Sequence, residues 1–209
     1  MEFEYYQQVR KDALAVVPHQ EKWGKVLEVG CGAGATLSYL KENKKADYVH
    51  GIEVQEGLPV QEGIDQYQNG DAESFDLNSL PEFDLILLLD VIEHLKEPFQ
   101  FLRKVRSRLT GNKEIVISVP NINNIRILKN LILGDRWDYQ DSGILDRTHL
   151  RFYTESSFRS ALQQEIPELE IVKVKRNYED LPLMGLLSKI PFLSKFFVCQ
   201  LIFYIKDRK

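Results

Sequence analysis

The run KVLEVGCGAGATLSYL, residues 25–40, limits what this chain can fold into more than any other stretch. The apolar KVLEV ends at Gly30. Gly30, Gly32 and Gly34 then alternate with small residues, and a helical pattern with Leu37 and Leu40 on one face follows. A short apolar run stopped by glycine reads as a buried strand. The glycines let backbone amides come close to a ligand at the strand's end, where the next helix presents its positive N-terminus. Gly30-Cys31-Gly32-Ala33-Gly34-Ala35 also satisfies the G-x-G-x-x-G/A dinucleotide pattern. A dinucleotide and an adenosyl-sulfonium compound both fit such a turn.

Strand and helix patterns alternate around this motif. Strands are expected at 25–29, 46–54, weakly at 64–72, at 83–90 and at 113–119. FDLILLLD (83–90) is nearly all apolar, as a central strand covered on both faces should be. Residues 3–17 read as a first helix. PFQFLRKVRSRLTG reads as another, with Phe99, Leu102, Val105 and Leu109 on one stripe and Gly111 as its cap. This alternation predicts βαβ units and a parallel sheet. Residues 121–153 carry no clean period. TESSFRSALQQ resumes as a helix with Thr154 as N-cap, and 169–176 and 198–206 read as closing strands. There is no internal repeat or linker, so residues 1–209 are expected to form one domain, with acceptor-side insertions at about 121–153 and 178–197.

Three acidic positions sharpen the ligand reading. Glu28 lies inside the apolar strand, two residues before Gly30. A carboxylate there would repel a pyrophosphate but suits a ligand with an α-amino group. Glu53 ends the second strand, 21 residues after Gly32, where a carboxylate can take both ribose hydroxyls. Asp71, in NGDAE, ends the third strand and is placed to accept from an adenine amino group.

Together, E-x-G-x-G-x-G, the Glu53 acid, GDA and FDLILLLDVIEHL resemble a class I S-adenosylmethionine-dependent methyltransferase. The likeness covers nearly the whole chain and is nearest to the subgroup of ubiquinone-biosynthesis O-methyltransferases. LDRTHLRFYT (145–154) is similar to a segment of bacterial relatives acting on sugars, lipids or secondary metabolites. The resemblance implies an α/β, Rossmann-like, doubly wound seven-stranded sheet, mostly parallel with an antiparallel last strand. It implies S-adenosylmethionine as cofactor and S-adenosylhomocysteine as product. It also implies a cofactor set of Glu28, Gly30, Cys31, Gly32 and Gly34 on the methionine side, Glu53 and Val54 at the ribose, Asp71 and Ala72 at the adenine, and Asp90 and Val91 beside the sulfonium. One departure is visible: QEGLPVQEG (55–63) is short and holds a proline where many relatives have a helix.

Methyl transfer is an in-line displacement at carbon, so the protein supplies alignment and, for a hydroxyl acceptor, a base. His149 in DRTHLRFYT and His94 in DVIEHL are the candidates, since an ordinary imidazole titrates near neutral pH. His94 reads equally as a structural residue closing a helix start. Arg147 and Arg151 are candidate clamps for an anionic acceptor, although the neighbouring aspartates offer them surface ion pairs. Tyr5 and Tyr6 are candidate lid residues, and Asn121 a weaker acceptor-side candidate. No His/Cys/Asp cluster has metal-ligand spacing along the sequence, so no metal is expected.

Other classes are disfavoured. The formal net charge is −4 with no basic block, and the end of strand four lacks the motifs of DNA-methylating enzymes, so no nucleic-acid partner is expected. Cys31 and Cys199 read as reduced thiols, and the mixed, acidic N-terminus is not a signal peptide, which points to the cytoplasm. The apolar stretch 181–205 is broken by Lys189, Lys195, Pro182 and Pro191, well short of the roughly 20 residues a spanning helix needs. Residues 181–197 instead suit packing, a dimer interface or contact with a membrane surface. The expected partner is a small-molecule methyl acceptor, with the protein a monomer or homodimer. The competing readings are a nicotinamide-dependent oxidoreductase and a non-catalytic S-adenosylmethionine-binding scaffold.

Overall fold

The computed structural model describes residues 8–18, 22–178 and 191–208. In chain order the elements are α1 (Lys11–Leu14), β1 (Trp23–Val29), α2 (Ala35–Glu42), β2 (Ala46–Glu53), β3 (Gln66–Asn69), β4 (Phe83–Leu89), α3 (Pro98–Arg106), β5 (Leu109–Pro120), α4 (Ile125–Gly134), α5 (Glu155–Glu165), β6 (Leu169–Tyr178), α6 (Pro191–Ser194) and β7 (Val198–Asp207). Short 3₁₀ turns lie at Leu77–Ser79 and Ile92–His94. The strands form one seven-stranded sheet in the order β3-β2-β1-β4-β5-β7-β6. β1 to β5 pair in parallel, whereas β7 runs antiparallel to both β5 and β6.

The apolar strands are covered on both faces. Along β4, Leu85, Leu87 and Leu89 point into a core shared with Leu14, Leu37 and Leu40, while Phe83, Ile86 and Leu88 point into one shared with Phe101, Leu102, Phe158 and Leu162. Every residue of FDLILLL except Asp84 is thereby buried, so the run shows no alternation. The order of strands reverses between β1 and β4, and ligands of open α/β sheets bind outside the carboxyl ends of the strands at such a switch point.

Three local expectations are corrected. Gly111 does not cap α3: the helix ends at Arg106, and Gly111 (φ +57°) and Lys113 (φ +50°) form an irregularity inside β5. Residues 125–134, which lacked a clean period, form α4, because Asn124 Oδ1 accepts from the Arg126 amide and caps the turn. No residue of α4 is buried, so its apolar side chains do not report a core face. The first helix is only the short α1 among the described residues, followed by buried Val16 and Val17. Thr154 does cap α5, in a reciprocal pairing with Ser157. The 55–63 segment has no helix. Much of the apolar 181–197 stretch lies outside the described residues, but Phe197 is in the core. Among the described residues no helix is long and apolar enough to cross a membrane.

Candidate active site

The glycine-rich turn sits at the switch point, and its conformation explains its composition. Gly30, Gly32 and Gly34 have φ of +69°, +56° and +83°, values that side chains disfavour. A Cβ on Gly30 would fall 2.6 Å from Val91 Cγ2, so the turn after β4 packs directly on the turn after β1. Four amides of this loop are already engaged: Gly30 and Cys31 donate to the Ile52 carbonyl, Gly34 to the Cys31 carbonyl, and Gly32 to Glu53 Oε2 at 2.7 Å. These four amides are therefore not free for an anion such as a pyrophosphate. The glycines act by thinning the loop.

Glu53 is buried at the end of β2, and its other oxygen accepts from the Gln55 amide at 2.9 Å. Val54 beside it is exposed. Asp71 lies at the loop after β3, where Oδ1 accepts from the Glu73 amide at 3.0 Å and caps a turn; Ala72 packs on the core. Glu28 is 3% exposed, and its Oε2 has no partner. Burial pushes its carboxyl up to about 8, nearby Arg10 pulls down and Glu53 pushes up further. A buried carboxyl oxygen with nothing to bond it, on the strand that leads into the glycine turn, suits a ligand that brings a cationic donor.

Asp90 is held in a left-handed conformation (φ +57°), and its carboxylate is taken up by the protein. It accepts from Arg10 at 2.8 Å, Ser118 at 2.9 Å and Gln200 at 2.8 Å. Arg10, missed by sequence reasoning, ties the N-terminal segment to β4, β5 and β7 through this network and donates its amide to Thr36 Oγ1. Nothing in its local sequence marked it.

On the other side of Val91 lies a second cluster. The carbonyl of Glu93 accepts from the amides of Leu150 and Arg151, which joins DVIEHL to DRTHLRFYT. This brings His94 and His149 into ring contact at 4.7 Å between centroids. His149 is 9% exposed, and its Nδ1 lies 3.0 Å from the Ile144 carbonyl. A carbonyl only accepts, so Nδ1 carries a proton, and in the neutral ring Nε2 is the bare nitrogen. Burial lowers the pKa of His94, and His149 lowers it further. Glu93 is 1% exposed with neither carboxyl oxygen partnered; burial, then the charge of Asp90, raises its pKa well above the ordinary range. Donor atoms of Glu93, His94 and His149 lie within 4.8 Å of one another, a set that can hold a divalent cation. Sequence spacing suggested no such set because Glu93 and His149 are 56 positions apart. Phe152 packs on His149 at 6.3 Å, with Trp137 at 5.6 Å and Tyr139 at 6.4 Å from Phe152, an aromatic rim sequence reasoning also missed.

The remaining candidates stand apart. Asn121 is buried and spends its side chain on the Val198 carbonyl and the Asn123 amide, which makes it a brace for β7. Arg147 pairs with Asp141 at 2.6 Å on the surface, and Arg151 donates to the Lys96 carbonyl at 2.8 Å. Tyr5 and Tyr6 lie outside the described residues.

Comparison with known proteins identifies the family. A family model described as a methyltransferase domain matches residues 2–165, and the chain belongs to that family, in the class I S-adenosylmethionine-dependent fold. Among curated proteins it is 31% identical over 135 residues to a ubiquinone biosynthesis O-methyltransferase of Cereibacter sphaeroides, covering 61% of this chain and 52% of that one. It is 28% identical over 117 residues to a malonyl-[acyl-carrier protein] O-methyltransferase of Haemophilus influenzae, covering 52% and 44%. The chain thus spans about half the length of the curated relatives it matches. Its fold matches a SAM-dependent methyltransferase of Archaeoglobus fulgidus (TM-score 0.65, 22% identity, 91% and 89% covered). It also matches the plantazolicin methyltransferase in complex with SAH (TM-score 0.60, 17% identity, 99% and 81% covered).

Proposed function

We propose that this protein transfers the methyl group of S-adenosylmethionine to an oxygen of a small-molecule acceptor. Glu28 takes the α-ammonium, the Gly30–Gly34 turn the methionine side, Glu53 and Val54 the ribose, Asp71 and Ala72 the adenine, and Asp90 and Val91 flank the sulfonium. The observation that carries the acceptor side is the contact of two histidines next to a buried carboxyl, joined in sequence to Val91, which packs on the glycine turn. His149, through its bare Nε2, removes the acceptor hydroxyl's proton as the methyl group passes, and His94 supports it. The Trp137, Tyr139 and Phe152 rim, and exposed Ile132 and Leu133 on α4, support an acceptor with an apolar or aromatic part, such as a lipid-linked or secondary metabolite. The engaged loop amides and Glu28 weigh against a nicotinamide dinucleotide.

Thermal unfolding with S-adenosylmethionine, S-adenosylhomocysteine, NAD and NADP tests the cofactor. Ligand at about 100 times its dissociation constant adds roughly 2.7 kcal/mol. Both adenosyl compounds should raise the midpoint and neither dinucleotide should. Methyl-labelled cofactor with a fractionated metabolite extract then tests catalysis, and no labelled product in any fraction would leave a binding scaffold.

One observation favours a second reading of the acceptor side. Both Glu93 oxygens lack partners next to two histidines, so a divalent cation held there would polarise the acceptor oxygen in place of a base. Transfer abolished by EDTA and restored by a divalent metal supports it; transfer indifferent to EDTA removes it.

A further inference from the structure

His94 is restrained by a contact that the methyl-transfer reading does not use. Thr148 donates its backbone N–H to Asp146 Oδ1 at 2.8 Å and its hydroxyl to the same oxygen at 2.6 Å. The two-residue spacing of DRT lets one carboxylate oxygen receive both. A hydroxyl has a single proton, and a carboxylate at 2.6 Å holds it more strongly than an imidazole nitrogen at 3.1 Å. Only the lone pairs of Thr148 Oγ1 are then left for His94 Nδ1, which lies 3.1 Å away. A lone pair facing a ring nitrogen at that distance requires the proton on the nitrogen.

We infer that Asp146 and Thr148 are positioning residues that fix His94 as its Nδ1–H tautomer and so keep Nε2 as the bare, proton-accepting or ligating atom of the acceptor site. The inference rests on the reading of His94 as an acceptor-side residue. Burial pushes the Asp146 carboxyl up, but the two Thr148 bonds and the neighbouring histidines hold it below the usual range, so the anchor stays charged at neutral pH. His149 reaches the same tautomer by another route, through the Ile144 carbonyl. Two neighbouring imidazoles are thus set alike, one by a backbone carbonyl and one by a carboxylate acting through a hydroxyl. An imidazole without such a partner ordinarily favours the opposite, Nε2–H form.

The test is long-range ¹H–¹⁵N correlation spectroscopy of the full chain labelled at histidine. The protein is first dialysed against EDTA and held at about pH 8, where an ordinary histidine is neutral. Loss of a signal set in His94→Gln assigns His94. The expected wild-type pattern is a protonated Nδ1 and a bare Nε2. Thr148→Val should replace that single form by a mixture rich in Nε2–H, Thr148→Ser should restore it, and His149 should keep its Nδ1–H form in both. If Thr148→Val does not fold, Asp146→Ala serves: it frees the Thr148 proton to point at Nδ1 and should give the same loss. A wild-type His94 in the Nε2–H form or a mixture overturns the inference. So does a wild-type pattern persisting in Thr148→Val or Asp146→Ala. No cofactor or acceptor enters the measurement, so its failure is distinct from failure of the methyl-transfer reading, which labelled-product assays report.

Discussion

Glu28 and Glu93 are both buried carboxyls raised by burial, with one oxygen of Glu28 and both of Glu93 left without a partner. Their surroundings differ in origin. Glu28 belongs to a half built from neighbours in sequence: β1, its glycine turn and α2, closed by Glu53 only 21 positions beyond Gly32. Glu93 belongs to a half built by docking DRTHLRFYT onto the turn after β4, through the two amides that meet the Glu93 carbonyl. The first half is held by backbone hydrogen bonds, because the left-handed glycines let the loop's amides reach the Ile52 carbonyl and Glu53. The second depends on side chains finding each other across long sequence separations. Binding chemistry is expected to be robust in the first half, and reaction chemistry to be sensitive in the second.

The largest effects should appear in the second half and spare the first. His149→Gln is expected to slow methyl transfer by about 10²- to 10⁴-fold, the range for losing a positioned base. The thermal shift with S-adenosylhomocysteine should be unchanged. A lost cofactor shift would show that the two halves are not separable. His94→Gln should also slow transfer. Added to His149→Gln it should cost less than the product of the two single effects, because the rings serve one proton.

Next in size is Gly30→Ala, in the first half. Left-handed backbone costs an alanine about 1–2 kcal/mol. Its Cβ also meets Val91 Cγ2 at 2.6 Å, and a β-branched side chain has few rotamers to escape into. Calorimetry should show a lower midpoint and no cofactor shift. A normal shift would mean that the turn accommodates bulk and does not set the binding geometry.

The contrast also explains what could be read before the structure. The parallel pairing and the central place of β4 follow from apolar runs and glycine stops, which are local signals, whereas the antiparallel β7 was legible only through the family resemblance. Glu28 and Glu53 stood out as acids in apolar strands. His94 and His149 were each visible, but their contact was not, since it is made by backbone hydrogen bonds from Glu93 to residues far along the chain. Arg10 was hidden for the same reason: its partners Asp90 and Gln200 lie 80 and 190 positions away. Asn121 misled because an amide next to a strand end suits a ligand and a carbonyl equally, and here β7 takes it.

A subtler test separates the two carboxyls by pH. Folded Glu28 keeps its proton up to about 8, while the unfolded chain releases it near 4.5. The folded state binds the extra proton in that window, so stability contributed by this group falls as pH rises through it. Glu28→Gln should flatten that fall in the ligand-free protein and weaken S-adenosylmethionine binding at about pH 8, because the amide offers the ammonium no charge. Glu93→Gln should leave cofactor affinity as it is. Isothermal titration on both variants decides it, and equal losses of affinity would erase the distinction between the halves.

The smallest effect tests the edge of the second half. Arg147 and Asp141 pair at the surface, with side chains 61% and 91% exposed. Exposed pairs contribute about 0–1 kcal/mol, and long side chains lose entropy in making them. Arg147→Ala is therefore expected to leave the unfolding midpoint unchanged within error. It should also leave the acceptor KM unchanged, because Asp141 already engages the guanidinium and the His149 rim is aromatic. A KM raised several-fold with kcat intact would show that Arg147 leaves Asp141 to clamp an anionic acceptor group. The second half would then extend past its aromatic rim into the 135–147 loop.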